Sequence, residues 1–389
     1  MEMINLFCIA IQQRYRRRRF LELVQRYERR RRPRLFLPRI GLHTLSDREI
    51  VRRFRLNRGL IENLYLEIKD SIEPITYRTK AIPGMLKLLA VLYFLATGSF
   101  QAVTSLVVGM SQASFSSHLT VVLKALHQRI VNYVHFPETP EDWHRVKVQF
   151  YGIAGMTNIL GAIDCTHVLV QPPKLGELPY RDRKRNHSLN IQVISDAKLK
   201  IMSIRSGFPG STHDSFILRN SHVYDLFQNH QMPEGILLDK YLLLIVIYGY
   251  KNIMYFILLK SNYFLHTGDS GYSCLQWLFT PVLNPRTPAQ VRYNEAHTST
   301  RCVIERTFGV LKSRFRCLDL SGGVLLYKPK KVSLIFLICC MLHNLALRMP
   351  DADISMLQVE YDDNVAPLEQ IDASGVQARS DYIHALFEQ

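Results

Sequence analysis

The change of hydrophobic period at Ile159 constrains the fold more than any other feature of the chain. Before it, apolar residues recur at helical spacing. Leu86, Leu89, Ala90, Tyr93 and Phe94 share one face behind Pro83, which is well placed as a first helical residue. After it, the apolar runs have strand length. Ile159–Asp164 and Val168–Gln171 read as one strand, Leu189–Ser195 as a second and Lys200–Ser206 as a third. Asp196-Ala-Lys198 supplies a hairpin turn between the last two, and Pro172-Pro173 with the charged run Arg181–Arg185 fills the loop between the first two. Helical patterning then returns. Ser211 reads as the cap of a helix with Asp214 in its first turn. Ile304, Phe308, Leu311 and Phe315 form an apolar stripe for a core. The pattern predicts an α/β domain preceded by a helical one.

In the helical part, Ser46-Asp-Arg-Glu49 has capping-box spacing. Thr97-Gly98-Ser99 breaks the helix that follows Pro83. Ser99 reads as the cap of a short helix, Phe100 to Val107, Gly109 as a turn, and Ser111 as the cap of a third helix running to about Ile130. Short helix, glycine turn, longer helix is a helix-turn-helix outline. Ser111, Gln112, Ser114, Ser117 and His118 are the side chains it would offer to DNA. A purely structural three-helix bundle has the same outline and is weighed equally.

Charge is unevenly placed along the 389 residues, whose net is +16. Between Ile11 and Ile40 twelve Arg stand against Glu22 and Glu28. Arg16, Arg17, Arg18, Arg19, Arg29, Arg30, Arg31 and Arg32 suit phosphate contact or nuclear import. The bland alternative is a solvated arm of no set structure. From Asp351 to Gln389 nine acids face Arg379 alone, an acidic tail. The seven cysteines form no CxxC pair and point to a reduced, intracellular compartment. In Met1–Ile11 the arginines follow the short apolar run instead of preceding it, a poor secretory signal.

Three acids stand out by context. Asp164 ends the apolar run Ile159-Leu-Gly-Ala-Ile, Asp269 opens the turn Gly268-Asp-Ser-Gly-Tyr272, and Glu305 lies one step round a helix from its apolar stripe. Carboxylates drawn from a strand end, a loop and a helix are what a pair of hard cations needs to act on a phosphodiester. Each acid has a plainer reading: strand-end cap, turn residue, and i,i+4 partner of Arg301. Asp214, beside His213, competes with Asp269 for the second place.

Five blocks in order decide between these readings. They are Gly161-Ala-Ile-Asp-Cys-Thr-His167, Gly207-Phe-Pro-Gly-Ser-Thr-His-Asp-Ser215, Gly268–Tyr272, Val303-Ile-Glu-Arg-Thr-Phe-Gly-Val-Leu-Lys-Ser-Arg-Phe315 and Leu342-His-Asn344. Through them the chain, from about Leu45 to about Leu347, resembles the PIF/Harbinger superfamily of DDE transposases, and within it the Harbinger transposase-derived nucleases. The resemblance implies a ribonuclease-H-like fold over 150–348, behind a basic arm (1–44) and a helix-turn-helix-like domain (45–136), with an acidic tail over 349–389. It implies that Asp164, Asp269 and Glu305 are catalytic and hold two Mg²⁺ ions, for which Mn²⁺ is an allowed substitute. In-line attack of water on phosphorus would leave a 3′-hydroxyl. His213, Asp214 and Arg301 become accessory residues, and Lys312 a DNA contact. DNA is the implied partner, with a separate Myb-like DNA-binding protein and self-association both compatible, no membrane, and a nuclear or also cytoplasmic location. The other reading is a domesticated DNA-binding or scaffold protein without turnover. That reading draws on the apolar stretch Tyr241–Asn262, which separates flanks matching Leu237–Lys240 and Tyr263–Leu265. It reads as an insertion, with a hairpin turning at Gly249–Asn252 as the alternative.

Overall fold

A computed structural model describes residues 13–26, 38–75, 81–239, 272–319, 323–349 and 372–388. Asp269, Tyr241–Asn262 and Arg29–Arg32 lie outside the described residues. The chain divides into two units, Met1–Arg39 and Ile40–Gln389. In the first, residues 13–26 form a helix, α1, that exposes Arg16, Arg17, Arg18 and Arg19. Like charge alone suggested no set structure for this arm. Arginine and leucine are good helix formers, however, and Arg18 pairs with Glu22 one turn on at 3.4 Å.

In the second unit, Ser46 and Glu49 close the expected capping box on α2 (Asp47–Phe54). Next come α3 (Arg58–Ile72) and α4 (Gly84–Thr97), the latter buried along most of its length. Gly98 ends α4 in the left-handed region, φ +66°, and a Cβ there would stand 3.1 Å from the Arg316 carbonyl oxygen. Both facts require glycine. The helices α5 (Gln101–Val108) and α6 (Gln112–His127) meet at 95° across Gly109. Ser111 caps α6 as its position predicts. Ser99 does not cap α5, whose N-cap is Phe100 with no side-chain bond. The Ser99 amide instead donates to Thr97 Oγ1 at 3.3 Å, so Ser99 belongs to the turn that ends α4.

After α7 (Pro140–Ala154) the strands begin: β1 (Ile159–Leu169), β2 (Ser188–Ser195), β3 (Ile201–Pro209), β4 (Ile236–Asp239) and β5 (Leu278–Phe279). They form one mixed sheet in the order β3-β2-β1-β4-β5. β1 runs antiparallel to β2 and parallel to β4. The turn at Asp196 forms where the sequence places it. Its Oδ1 accepts the Lys198 and Lys200 amides, each at 2.8 Å, and Leu199 carries φ +68°.

Helices cover both faces. Ala162, Val168, Ile191 and Val193 pack in one core with Ile304 and Phe308 of α10 (Pro288–Arg314) and Ile335 and Phe336 of α11 (Pro329–Ala346). Leu160, Ile163 and Ile194 pack on the other face with Leu218 of α8 (Asp214–Arg219) and Val223 and Phe227 of α9 (His222–Gln228). The first core also includes Leu88, Leu92 and Phe115 of α4 and α6, so the N-terminal helices and the sheet share it. α8 starts later than a cap at Ser211 would give. His213 is its N-cap, without a side-chain bond, because the Ser211 amide is held by the Pro179 carbonyl. Among the described residues α11 is the one unbroken helix long and apolar enough to cross a membrane, but Val332, Ile335, Phe336, Ile338 and Cys339 are wholly buried in the core. Within the acidic C-terminal stretch, α12 (Ala373–Phe387) docks on α10 and β5. Arg379 donates to the Thr280 and Pro281 carbonyls, and Tyr382 stacks edge-on against Phe279.

Candidate active site

Asp164 lies within β1, which continues five residues beyond it to Leu169. It pairs with Val193, and strand alternation puts it on the face of Ala162 and Val168, towards α10. Glu305 comes to the same face from α10, where Ile304 and Phe308 anchor the helix in the core. Thr307 adds a hydrogen bond to Ser195 of β2 at 3.2 Å. Both acids are almost fully buried, at 5% and 9% exposure. Asp164 Oδ1 accepts its neighbour's amide, Cys165 N–H, at 2.8 Å. Arg301, one turn before Glu305, donates Nη1 to its Oε1 at 2.8 Å. Burial works against the Arg301 charge, but Glu305 and then Asp164 outweigh it and hold the guanidinium above its ordinary value. Arg301 therefore senses both carboxylates.

Two buried carboxylates on one face offer the oxygen ligands that suit a hard divalent cation. Asp269 would supply the third oxygen ligand, and among the described residues no three His, Cys, Asp or Glu side chains gather closely enough to hold an ion. The described acids thus fit part of a metal centre.

The opposite face of β1 and β2 carries different chemistry. Cys165 Sγ lies 3.2 Å from Tyr272 Oη, which also accepts from Gln192 Nε2 at 3.0 Å. Asn190 Nδ2 donates to Asp214 Oδ1 at 2.7 Å and to the Thr212 carbonyl. Burial, then Cys165, Asp214 and Asp239, push the Tyr272 phenol well above its usual range. Asp214 therefore lies behind the sheet from Asp164 and Glu305, while His213 begins α8 beside it. Neither joins the two acids. Asp239 is a buried acid the sequence reading passed over. It ends β4 in register with Ile163, so alternation points it to the Tyr272 side as well. Its signal was the apolar run Ile236-Leu-Leu ahead of it, the pattern that also marks Asp164. Of the basic candidates on α10, Lys312 is half-buried and Arg306 exposed.

The Leu342-His-Asn344 block is structural. Asn344 accepts the Ile201 amide and donates to the Ile201 and Tyr133 carbonyls. His343 accepts from Arg314 at Nδ1 and donates from Nε2 to the Leu199 carbonyl at 2.8 Å. These bonds lock α11 to the β2–β3 hairpin behind Asp164.

The comparisons place this region in a known family. Residues 163–344 match the family described as DDE superfamily endonuclease. The chain is 37% identical over 311 residues to "Putative nuclease HARBI1" of Rattus norvegicus, covering 80% of this chain and 81% of that protein. It is 35% identical to the Homo sapiens protein of that name over the same shares. It is 25% identical to "Protein ALP1-like" of Arabidopsis thaliana, over 69% of this chain and 63% of that one. No solved structure matches the chain. The five-stranded mixed sheet with its covering helices is consistent with a DDE superfamily endonuclease domain. Within that class, the chain belongs to the Harbinger transposase-derived nucleases.

Proposed function

We propose that this nuclease is a divalent-metal-dependent DNA endonuclease working by a DDE mechanism on a ribonuclease-H-like fold. The observation that carries the reading is the convergence of Asp164 and Glu305, from a central strand and a helix, on one buried face with Arg301 sensing both. The strand order, with β1 flanked by an antiparallel and a parallel neighbour, supports the fold assignment. Asp269, three residues before the buried Tyr272, is proposed as the third acid.

Asp164, Asp269 and Glu305 would hold the metal, for which two Mg²⁺ ions are proposed. When bound, divalent cations supply the electrostatic stabilisation that phosphodiester hydrolysis requires. The chain's own part is positional. β1 fixes Asp164 between two paired strands, α10 fixes Glu305 by its buried stripe, and Arg301 restrains the Glu305 carboxylate while offsetting repulsion between the acids. Burial keeps bulk water from screening them.

DNA is the proposed substrate. The 95° angle between α5 and α6 suits a helix-turn-helix, and Ser111, Gln112 and Ser117 are exposed on α6 while Ser114 and His118 are half-buried. The exposed arginines of α1 suit phosphate contact and nuclear import, so the nucleus is the proposed location. Incubation of the full chain with supercoiled plasmid and Mg²⁺ tests the reading. Nicking or linearisation should require the metal and be lost in Asp164→Asn. Equal cleavage by that variant, or cleavage in excess chelator, would sink it.

A further inference from the structure

The C-terminal ends of α2 and α10 bring together three arginines that the nuclease reading does not use. Arg55 ends α2 in the left-handed region, φ +63°, and Arg314 closes α10. Arg316 begins the 3-10 turn Arg316–Leu318, and its carbonyl is the one that Gly98 makes room for at the end of α4. Phe54 and Leu56, on either side of Arg55, are buried in the same core as Phe315, which stands between the other two. Arg55 and Arg314 are thereby held half-buried, while Arg316 is exposed. Burial, then Arg316 and Arg52, hold Arg55 below its ordinary value, and burial, then Arg55, lower Arg314 to about 10. Arg52 is shared with Glu49 and stays at the edge of the group.

The cluster lacks a counter-charge. Among the described residues no carboxylate pairs with Arg55, Arg314 or Arg316, whereas nearby Arg53 and Arg58 pair with Glu49 and Asp47. Arg55 Nε is buried without a hydrogen-bond partner. Arg314 Nη1 donates at 3.0 Å to Nδ1 of His343, a neutral acceptor fixed in turn by the Leu199 carbonyl. The Leu342-His-Asn344 block thus aims this guanidinium without neutralising it. Cations are at home at helix C-termini, but these ends cover only part of the charge. At roughly half a charge each, α2, α4 and α10 supply about 1.5 negative charges against three guanidiniums and leave about +1.5. A buried donor without a partner and a surplus of this kind are what an anion from outside resolves.

We infer that Arg55, Arg314 and Arg316 form a binding site for a phosphate group carrying more than one negative charge. Such a group brings ~1.5 to 2 charges and three acceptor oxygens, which matches both the surplus and the three guanidinium forks. A backbone phosphodiester, singly charged and flanked by two sugars, fits half-buried arginines less well. The site is separate from the catalytic face. Nine residues of α10 lie from Glu305 to Arg314, about two and a half turns, so the two side chains leave opposite sides of the helix. The inference therefore stands without the nuclease reading. The phosphate can come on a small molecule or as the terminal phosphate of a DNA strand.

The test titrates the full chain with inorganic pyrophosphate, against sodium chloride at matched ionic strength, and follows the melting temperature. Wild type should show a saturable rise, as binding at one site requires. Arg55→Gln, Arg314→Gln and Arg316→Gln should each weaken the apparent affinity by ~10-fold or more, the scale of one charge-assisted hydrogen bond. Arg316→Lys should restore part of it. Arg316 is exposed, so its variants carry the test should either half-buried variant fail to fold. In chelator, fluorescence anisotropy then compares a duplex bearing 5′-phosphates with the same duplex ending in 5′-hydroxyls. A preference for the phosphorylated duplex that Arg316→Gln removes assigns the site to DNA ends. A pyrophosphate response without that preference assigns it to a small phosphate ligand. No rise beyond that of chloride together with no end preference, or responses equal in wild type and variants, overturns the inference.

Discussion

The two faces of β1 and β2 both carry polar side chains and use them in opposite ways. Towards α10, Arg301 donates to Glu305 and also feels the charge of Asp164, so buried charges dominate. Towards α8, Cys165, Gln192 and Tyr272 are linked by hydrogen bonds, as are Asn190 and Asp214, with Asn190 Oδ1 left buried and unbonded. A hydrogen-bonded cluster rigidifies a fold, whereas buried like charges suit a cation from outside. Adjacent residues of a single strand, Asp164 and Cys165, thus belong to a site and to its support.

That contrast can be broken by experiment. The largest effect should come from Asp164→Asn and Glu305→Gln, each lowering metal-dependent cleavage by at least ~10³-fold, the scale of losing a preorganised charge. Denaturant melts of the same proteins sharpen the point. Asp164→Asn should cost little, because it keeps the shape and an oxygen to accept the Cys165 amide. Glu305→Ala should cost ~3 kcal/mol, because it strands a buried Arg301. Equal destabilisation by both would show that the acids are ordinary core polar groups.

The helices behind the acidic face carry two neutral buried imidazoles. Burial and then Arg301 and Arg379 lower His297 to about 3, and burial and then Arg314 lower His343 to about 3. Both pKa values are depressed on folding, so their stability is fully present above about 6.5 and is lost as pH falls towards about 3. Each contributes up to ~1.4 kcal/mol per pH unit within that window. Denaturation midpoints measured from pH 7 to pH 4 should therefore fall steeply, and His343→Gln should remove about half of the slope. A slope that survives both His substitutions would place the acid sensitivity elsewhere.

Towards α8 the effects should be smaller. Asp214→Asn should slow cleavage less than ~10-fold, since its amide oxygen can still accept from Asn190 behind the site. If it abolishes cleavage while Asp269→Asn does not, the choice of second acid is wrong. Smallest is Tyr272→Phe, expected to cost ~1 kcal/mol of stability with cleavage retained.

Much of this division is legible in the sequence and some is hidden by it. The run into Asp164, the turn at Asp196 and the stripe through Ile304 and Phe308 are local signals, and each sits where its spacing places it. On β2 the alternation of Ser188, Asn190 and Gln192 with Leu189, Ile191 and Val193 reads as one wet and one dry face, yet every residue of the strand is buried. What covers the polar side is Tyr272 and the segment before α8, contacts 80 and 22 residues away in sequence. Ser99 and Ser211 misled for the same reason. Each is a sound capping residue, but the helix starts after it, with the Ser99 amide held by Thr97 and the Ser211 amide by the distant Pro179 carbonyl. The short strand β4 has too few residues to announce itself; its parallel partner β1 defines it.

The helix α12 has a consequence that concerns assembly more than chemistry. Tyr382 Oη donates to the Thr157 carbonyl, two residues before β1, and the Tyr382 ring also meets Tyr293 near the start of α10. One side chain therefore bolts together the roots of the two elements that bear Asp164 and Glu305. α10 is a stiff lever of ~18 Å between Tyr293 and Glu305, at about 1.5 Å per residue. Play at the root becomes misalignment at the acids, where ~1 Å can cost ~10²-fold in rate. Tyr382→Ala should then blunt cleavage while DNA binding by anisotropy holds, and unchanged cleavage would show that α10 is braced without it. The acidic stretch, on this account, is the fastening that sets the alignment of a machine whose working parts lie elsewhere.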